Sequence, residues 1–435
     1  MDLVFSIFQP LGYAIFSFWW LFAAAVLLVM FLGLWRAWRQ FLFRSSFTWT
    51  LLEIKIPREN KKSPKAMEHI FANIHTLRNV QGNFREKWID GEITQWFSFE
   101  IVSFGGDIHF YIRTPTRHTA MIRANFYAQY SDVEITEADD YVRRVPDHTY
   151  QLYEAGYDLW GAELFLFKGD AYPIRTYPEF YSKEEEENLD PIGGILEVLS
   201  KIDKEEVVMV QILARPADGR AIVAAIDAET EKIKKSIALK AAKIKGEVRG
   251  EEESGEQVSR TPGETDLLKR VEAKANKPSF DVMVRFVYLA PKSIYNVNFA
   301  KRGIRAAFYQ FGAPNLNFFV TNPRTWTQAW IWDPPHIFPK RIIEGRKQRM
   351  LTSYKERSFP METGTGRLGE FHIWSSSFTQ RYSMMNTEEL ATIFHVPTIA
   401  VLTQPLMERV ESRKIGPPAG LPIFQEERGT PGIMK

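Results

Sequence analysis

The sequence predicts an α+β protein, and three features of the chain lead to that prediction. Residues 3–35 contain no charged side chain. From about residue 50, short segments of alternating apolar and polar residues are separated by segments with helical periodicity. The predicted elements follow each other twice in the order β-α-β-β-α-β, which is the ferredoxin-like plan. We therefore expect an N-terminal transmembrane helix, two ferredoxin-like domains with a helical insertion, and a mixed C-terminal region.

The first uncharged stretch predicts a membrane anchor. At about 1.5 Å of rise per residue, residues 13–35 can cross a hydrocarbon layer of about 30 Å. A cleaved signal peptide has a positive n-region and a shorter apolar stretch, whereas Asp2 is the only charged residue ahead of this one. The alternative is a buried core helix. The residues expected to anchor the helix are Tyr13, Trp19, Trp20, Trp35, Arg36 and Arg39.

The basic residues behind the apolar stretch predict its orientation. Arg36, Arg39 and Arg44 follow it directly, and the positive-inside bias places them on the cytoplasmic side. We therefore expect a single-pass protein of the inner, cytoplasmic membrane whose C-terminal part lies in the cytoplasm. The anchor and its basic juxtamembrane segment occupy residues 1–49.

Residues 50–145 are predicted to form the first ferredoxin-like domain. "LLEIKIP" alternates like a half-buried strand, and "SPKAMEHIFANIHTL" is a helix with Ser63 as the expected N-cap. "WFSFEIVSFGGDIHFYIRT" contains two strands that meet at Gly105 and Gly106. The helix "RHTAMIRANFYAQY" and the strand "VEITEA" complete the domain.

Residues 146–321 repeat the same order of elements. The strand "GAELFLFK", a helix expected to be capped by Asp190, and the strand "EEVVMVQILARP" come first. After a helical and mobile insertion over residues 220–265, the chain continues with the helix "TDLLKRVEAKANK", the strand "FDVMVRFVYLA", the helix "IYNVNFAKRGIRAAFYQF" and the strand "LNFFVT". We expect a second ferredoxin-like domain, although the halves share no identity at the level of residues.

Composition and motifs exclude most catalytic chemistry. The net charge of +2 does not by itself indicate nucleic acid or an acidic partner, and the absence of cysteine excludes thiol catalysis and cysteine-rich zinc sites. The eight histidines show no metal-ligand spacing, and no G-K-[ST] phosphate loop occurs. We expect neither an enzyme nor a cofactor.

One glycine pattern needs separate treatment. Gly364, Gly366 and Gly369 in "TGTGRLGEFHIW" have the spacing of a dinucleotide-binding loop. Such a loop needs a strand before it and a helix after it, but the preceding segment is charged and contains Pro360, while "EFHIW" is predicted to be a strand. We therefore interpret the pattern as a glycine turn that leads into a strand.

Residues 322–435 combine a basic, tryptophan-rich segment with a capped helix and a Pro/Gly-rich tail. The segment 340–357 could contact phosphates and its tryptophans could stack on bases, although a solvated helix face beside packed aromatic residues is the plainer interpretation. In "MNTEELATIFHVPT", Asn386 or Thr387 is the expected N-cap and Pro397 ends the helix. The candidate nucleic-acid or partner contacts are Lys340, Arg341, Arg346, Lys347, Arg349, Trp326, Trp330 and Trp332.

Several long segments carry a family resemblance. "LEIKIPRENKKSPKAMEHIF", "WFSFEIVSFGGDIHFYIRTP", "FYAQYSDVEITEADDY", "YDLWGAELFL" and "DAYPIRTYPEF" resemble a largely uncharacterised family of membrane-anchored proteins from candidate-phylum bacteria associated with type IV secretion or conjugative DNA transfer. "NTEELATIFHVPT" and "RVESRKIGPPAGLPIF" are similar to the segment that precedes the motor domain in conjugative-transfer ATPases. The similarity runs over residues 51–424.

The resemblance implies the non-catalytic half of such a machine. The motor domain that follows in fused relatives is absent from this sequence, so ATP hydrolysis is expected from a separate subunit, and no catalytic residue can be assigned. The expected partners are the membrane, the motor ATPase and further copies of the chain, with direct DNA contact as the alternative function. The candidate docking residues for the ATPase are Glu388, Glu389, His395, Arg409, Arg413 and Lys414.

Overall fold

The computed structural model describes residues 2–56, 60–181, 189–231, 262–329, 338–360 and 378–398, and over these ranges the protein is α+β. The predicted class, with an apolar N-terminal helix, is confirmed. The strands are β1 Trp49–Lys55, β2 Phe97–Phe104, β3 Asp107–Pro115, β4 Glu134–Ala138, β5 Tyr157–Leu166, β6 Val207–Pro216, β7 Ser279–Pro291, β8 Phe319–Thr321 and β9 Ser383–Asn386. The helices are α1 Asp2–Ser45, α2 Lys65–His75, α3 Thr119–Gln129, α4 Thr149–Glu154, α5 Gly193–Ser200, α6 219–231, α7 Pro262–Ala275, α8 Arg305–Tyr309, α9 Pro339–Lys355 and α10 Thr387–Ile393. The glycine pattern at 364–369 lies outside the described residues.

The described strands form one antiparallel sheet. Its order is β4-β1-β3-β2-β6-β7-β5-β8, and β9 pairs with β7 beyond the end of β5. The strands of each sequence half stay together, and β2 pairs with β6 from Phe97 opposite Ala214 to Phe104 opposite Val207. This pairing joins the two halves into a continuous sheet.

Both faces of the sheet are covered. On one face, α2, α3, α5, α8 and α10 enclose a large apolar core that includes Phe71, Phe99 and Phe280. On the other face, α4 and α9 pack over a smaller cluster that includes Leu159 and Met350. Because both faces are covered, β7 is buried along almost its whole length.

Helix α1 meets the length and composition that a membrane span requires. Its segment Trp19–Ser45 contains a window that is long and apolar enough to cross a membrane, and only a small share of that window is buried in the protein. Trp19, Trp20 and Trp35 are exposed, while Arg36 and Arg39 are half-buried. Tyr13 also lies on this helix.

The C-terminal part of α1 packs against the segment before β2. The Trp35 indole Nε1 donates to the Trp88 carbonyl at 2.8 Å, and Arg39 donates to the Ile89 carbonyl. Gly91, with φ at 67°, ends a π-helical turn at Glu86–Asp90 and lies against the Arg39 backbone. Only glycine fits here, because the backbone is left-handed and a Cβ would collide with Arg39. The helix is therefore joined to the segment before β2 by direct backbone packing.

Three local predictions need correction. No side chain caps α2, because its N-cap position is Pro64 and not Ser63. Helix α5 begins only at Gly193 and has no side-chain cap; Asp190 accepts from the Ile192 N–H before the helix and also bonds to the C-terminal segment described below. The helix predicted before β8 starts as a π-helical segment at Phe299–Ile304 and continues as the short α8.

Replacing Gly91 with alanine should loosen the contact between α1 and the sheet. The new Cβ would lie 2.4 Å from the Arg39 carbonyl carbon, and the left-handed backbone costs a residue with a side chain about 1–2 kcal/mol. Denaturant unfolding of the full chain in detergent, followed by tryptophan fluorescence, should show at least this loss. Gly169→Ala is the matched control, because nothing lies within 4 Å of its Cβ position. Equal stability of the two variants would contradict the packing described.

Candidate functional site

The segment predicted to dock a motor is folded into the protein through a capping box. The Asn386 side-chain oxygen accepts from the Glu389 N–H at 2.9 Å, and Glu389 Oε2 accepts from the Asn386 N–H at 2.9 Å. Of the two predicted caps, Asn386 is therefore the N-cap. The reciprocal bonds satisfy two N–H groups at the start of α10.

Glu389 also forms a buried ion pair. The Lys274 ammonium on α7 lies 3.1 Å from Glu389 Oε2, and both side chains are fully buried. Glu389 Oε1 accepts from the Ile174 N–H at 2.9 Å, while Lys274 donates to the Met384 carbonyl at 2.9 Å. A buried charge requires such partners, so α10 is held in one position against α7 and the chain that follows β5.

The residues after α10 are held by a buried aspartate. Asp190 Oδ1 lies 2.7 Å from His395 Nε2, and Oδ2 accepts from the Thr398 N–H at 2.7 Å and its hydroxyl at 2.8 Å. His395 Nδ1 lies 2.8 Å from the Ala391 carbonyl, so both ring nitrogens face oxygen acceptors. Burial acts to raise the pKa of Asp190, but His395 and the Thr398 donors lower it to about 2.

Asn60 and an aromatic contact fix the same segment from the other half of the sheet. The Asn60 amide donates to the Val396 and Pro397 carbonyls at 3.1 and 2.9 Å. The Phe394 ring lies 5.2 Å from that of Phe99 on β2, measured between centroids. Residues 394–397 are therefore fixed against the first half of the sheet, beside Asn60.

A second charged group joins α10 to α2 near the surface. The Lys277 ammonium contacts both Glu68 on α2, at 2.6 Å, and Glu388. Burial acts to lower the pKa of Lys277, but the two carboxylates raise it above its ordinary value. Of the predicted docking residues, Glu389 and His395 are thus buried, Glu388 lies at the surface, and Arg409, Arg413 and Lys414 lie outside the described residues.

The predicted basic segment forms α9 and the residues after it. Lys340 and Arg341 are exposed at its start, and Arg349 is half-buried. Arg346 is fully buried and donates to the Gln328 carbonyl at 2.5 Å, while the Lys347 ammonium lies 2.5 Å from Asp158. Trp326 is half-buried, with the Lys301 ammonium 5.3 Å from its ring centroid; Trp330 and Trp332 lie outside the described residues.

Arg357, at the end of the basic segment, is one of the most buried charges among the described residues. Its guanidinium donates to Glu100 on β2 at 2.6 and 3.0 Å and to Asp140 at 2.7 and 2.9 Å. Tyr141 adds a hydroxyl bond to Glu100 at 2.8 Å. Burial acts to raise the pKa of Glu100, but Arg357 holds it below the ordinary value. Arg357 therefore connects the end of α9 to strand β2 and is not available at the surface.

Glu100 belongs to a polar row that crosses the sheet. Backbone pairing places Glu53, Tyr111, Glu100, Gln211, Arg285 and Glu163 directly opposite one another on β1, β3, β2, β6, β7 and β5. Arg285 donates to Gln211 at 3.1 Å and to Glu163 at 2.9 and 3.1 Å, and Gln211 donates to Glu100 at 3.2 Å. The row joins the two halves through side chains as well as backbone.

Sequence reasoning did not identify this row, although a signal was present. Each of these side chains has an apolar residue directly before and after it in a strongly apolar strand: Glu100, Gln211, Arg285 and Glu163. Four such residues, one per strand, indicate a buried network once the strand register is known. The arrangement holds elements together, and the Ser98 hydroxyl that donates to Glu100 is buried with it. Among the described residues, no group of three or more His, Cys, Asp or Glu could hold a metal ion.

Removing Arg357 should strongly destabilise the protein. Arg357→Met leaves Glu100 buried without its counter-charge, which costs about 3–5 kcal/mol. Denaturant unfolding measures the loss, and exposed Arg143→Met is the control. The double variant with Glu100→Gln should recover part of the loss because it removes the unpaired charge. A single variant as stable as the control would refute the role of this pair.

Asp190 should contribute stability that depends on pH. Its folded pKa of about 2 lies below the ordinary 3.8, so the contribution is complete above about pH 4 and is lost as pH falls toward 2. At pH 7, Asp190→Asn should lower the free energy of unfolding by about 2 kcal/mol, and the difference should shrink in acid. Exposed Asp132→Asn is the control, and a difference that did not depend on pH would contradict this assignment.

Comparison with known proteins assigns the chain to a family. A family model described as a domain of unknown function, DUF8128, matches residues 40–321. None of the curated proteins matches the sequence. The match begins where α1 contacts the sheet and ends with β8, so it covers both sequence halves and more than half of the chain. The protein is therefore a member of the DUF8128 family.

Proposed function

We propose that the protein is a non-catalytic, membrane-anchored component of a type IV secretion or conjugative DNA-transfer-like system, where it acts as a docking platform for a motor ATPase. The observation that carries the proposal is the fixation of residues 386–398 by buried charges. A segment that resembles the region before a motor is held here by Lys274, Asp190 and Asn60. Residues 399–435, which follow it, would then start from a fixed point and reach the motor.

The position of α1 supports the same proposal. The helix that would enter the membrane is bonded to the segment before β2 through Trp35, Arg39 and Gly91. At the other end of the described chain, Thr398 bonds to Asp190, and Phe394 packs against Phe99 of the same sheet. A force applied by a motor at one end would therefore be transmitted to the membrane through a packed core.

We propose further that each half of the sheet is a ferredoxin-like unit. Numbered within its own half, each set of four strands has the order 4-1-3-2, which supports this interpretation. Self-assembly of the chain through these units is part of the proposal. The proposed location is the inner membrane, with the sheet in the cytoplasm, and it rests on the basic residues that follow the apolar stretch.

The alternative function, nucleic-acid binding through residues 340–357, has less support. Arg346 and Arg357 are fully buried, and Lys347 pairs with Asp158. Lys340 and Arg341 are the exposed cations among the candidate contacts. Binding of DNA that weakens with salt, and that Lys340→Glu with Arg341→Glu abolishes, would favour this alternative.

Photo-crosslinking in native membranes should capture the motor. A photoreactive residue at Glu388, or at exposed Lys61 next to Asn60, should recover a P-loop ATPase, because the first position lies within residues 386–398 and the second beside them. The matched control is exposed Tyr150 on α4, on the opposite face of the sheet. Recovery of no ATPase from either test position, or equal recovery from Tyr150, would overturn the docking proposal.

A further inference from the structure

A loop beside α1 exposes large apolar side chains. Over residues 80–90, Val80 is 55% exposed, Phe84 73% and Ile89 50%. The Phe84 ring stacks on Trp88, with centroids 6.1 Å apart and planes at 24°. Clustered apolar side chains of this size on a protein surface indicate an interaction site.

Internal hydrogen bonds hold the loop in this shape. The Glu86 carboxylate accepts from the Gly82 N–H at 2.7 Å and from the Asn83 N–H and amide at 3.3 and 3.1 Å. Asn79 donates to Glu92 at 2.8 Å across the base of the loop. Because the backbone is held by these bonds, Phe84 and Ile89 point away from the core in a defined loop conformation.

Contacts with α1 fix the position of this loop along the helix axis. The Trp35 indole bonds to the Trp88 carbonyl, and Gly91 lies against the backbone of Arg39. The loop therefore lies beside the turn that directly follows the uncharged stretch 3–35. In a membrane-spanning helix, tryptophan and arginine at the end of the apolar stretch mark the headgroup zone.

We propose that residues 80–90 form a second membrane contact, in which Phe84, Ile89 and Val80 insert into the interfacial zone of the bilayer that α1 enters. The proposal rests on the membrane anchoring proposed above. The occupant is lipid because the surface is continuous with the apolar face of α1, where Trp35 and Trp38 are exposed. Its charges are mixed, since Arg85 lies 3.4 Å from Asp90, so the contact depends on apolar insertion more than on anionic lipid.

Two attachments would fix the orientation of the sheet relative to the membrane. A single helix permits the rest of the protein to rotate about its axis, whereas a second contact beside the helix stops that rotation. Residues 386–398 would then face the same direction in every copy, which suits a platform on which a motor docks.

Labelling of single cysteines tests the proposal cleanly, because the chain contains no cysteine. Phe84→Cys, Val29→Cys and Tyr150→Cys would each carry an environment-sensitive fluorophore, on the full chain reconstituted in phosphatidylcholine vesicles. All three side chains are exposed, so labelling should leave the fold intact, and the unfolding midpoint verifies this. Spin-labelled lipids with shallow or deep nitroxides and aqueous iodide serve as quenchers.

The label at Phe84 should emit at shorter wavelength than that at Tyr150, lose most of its emission to shallow nitroxides, and resist iodide. Quenching by iodide equal to that at Tyr150 would overturn the proposal, and so would protection from both quenchers, because that result indicates a protein contact. The label at Val29 tests the anchor separately. If deep nitroxides do not quench it, membrane anchoring itself fails; if they quench it while Phe84 stays in water, only the loop proposal fails.

Discussion

The buried guanidinium of Arg357 holds this structure together at its centre. It lies over β2, bonded to Glu100 and Asp140, and Glu100 continues through Gln211 and Arg285 to Glu163. A charged group buried away from water is stable only when nearly all of its hydrogen-bond partners are in place. The side chains of the row can therefore adopt few other positions. The register of four strands and the end of α9 are thereby tied to one another.

That constraint explains why the residues after the family match belong to the fold. The match ends at residue 321, yet α9 covers the second face of the sheet, and β9 and α10 complete the first. Strands as apolar as β6 and β7 require cover on both faces. Residues 386–398 are therefore part of the fold, and the buried Glu389 and His395 act within it.

Two segments of the described chain have contrasting surfaces. Residues 386–398 turn their charged groups inward and are fixed by them. Residues 80–90 turn apolar groups outward beside α1. The first arrangement gives a rigid starting point for the chain that follows, and the second suits a surface that is itself apolar. Both segments are held in place by contacts with the same folded core.

The sequence by itself determined the elements with strong local signals. The uncharged stretch, the alternation of β1, the paired glycines before β3 and the capped start of α10 depend on neighbouring residues, and each was predicted. It also indicated α+β order in both halves. It could not assign roles to isolated polar residues: Asp190 was interpreted as a helix cap and Arg346 and Arg357 as surface cations. Only the tertiary structure decided these roles, because whether a charge is buried depends on partners that are distant along the chain. Glu100 lies 257 positions from Arg357, and Asp190 lies 205 from His395.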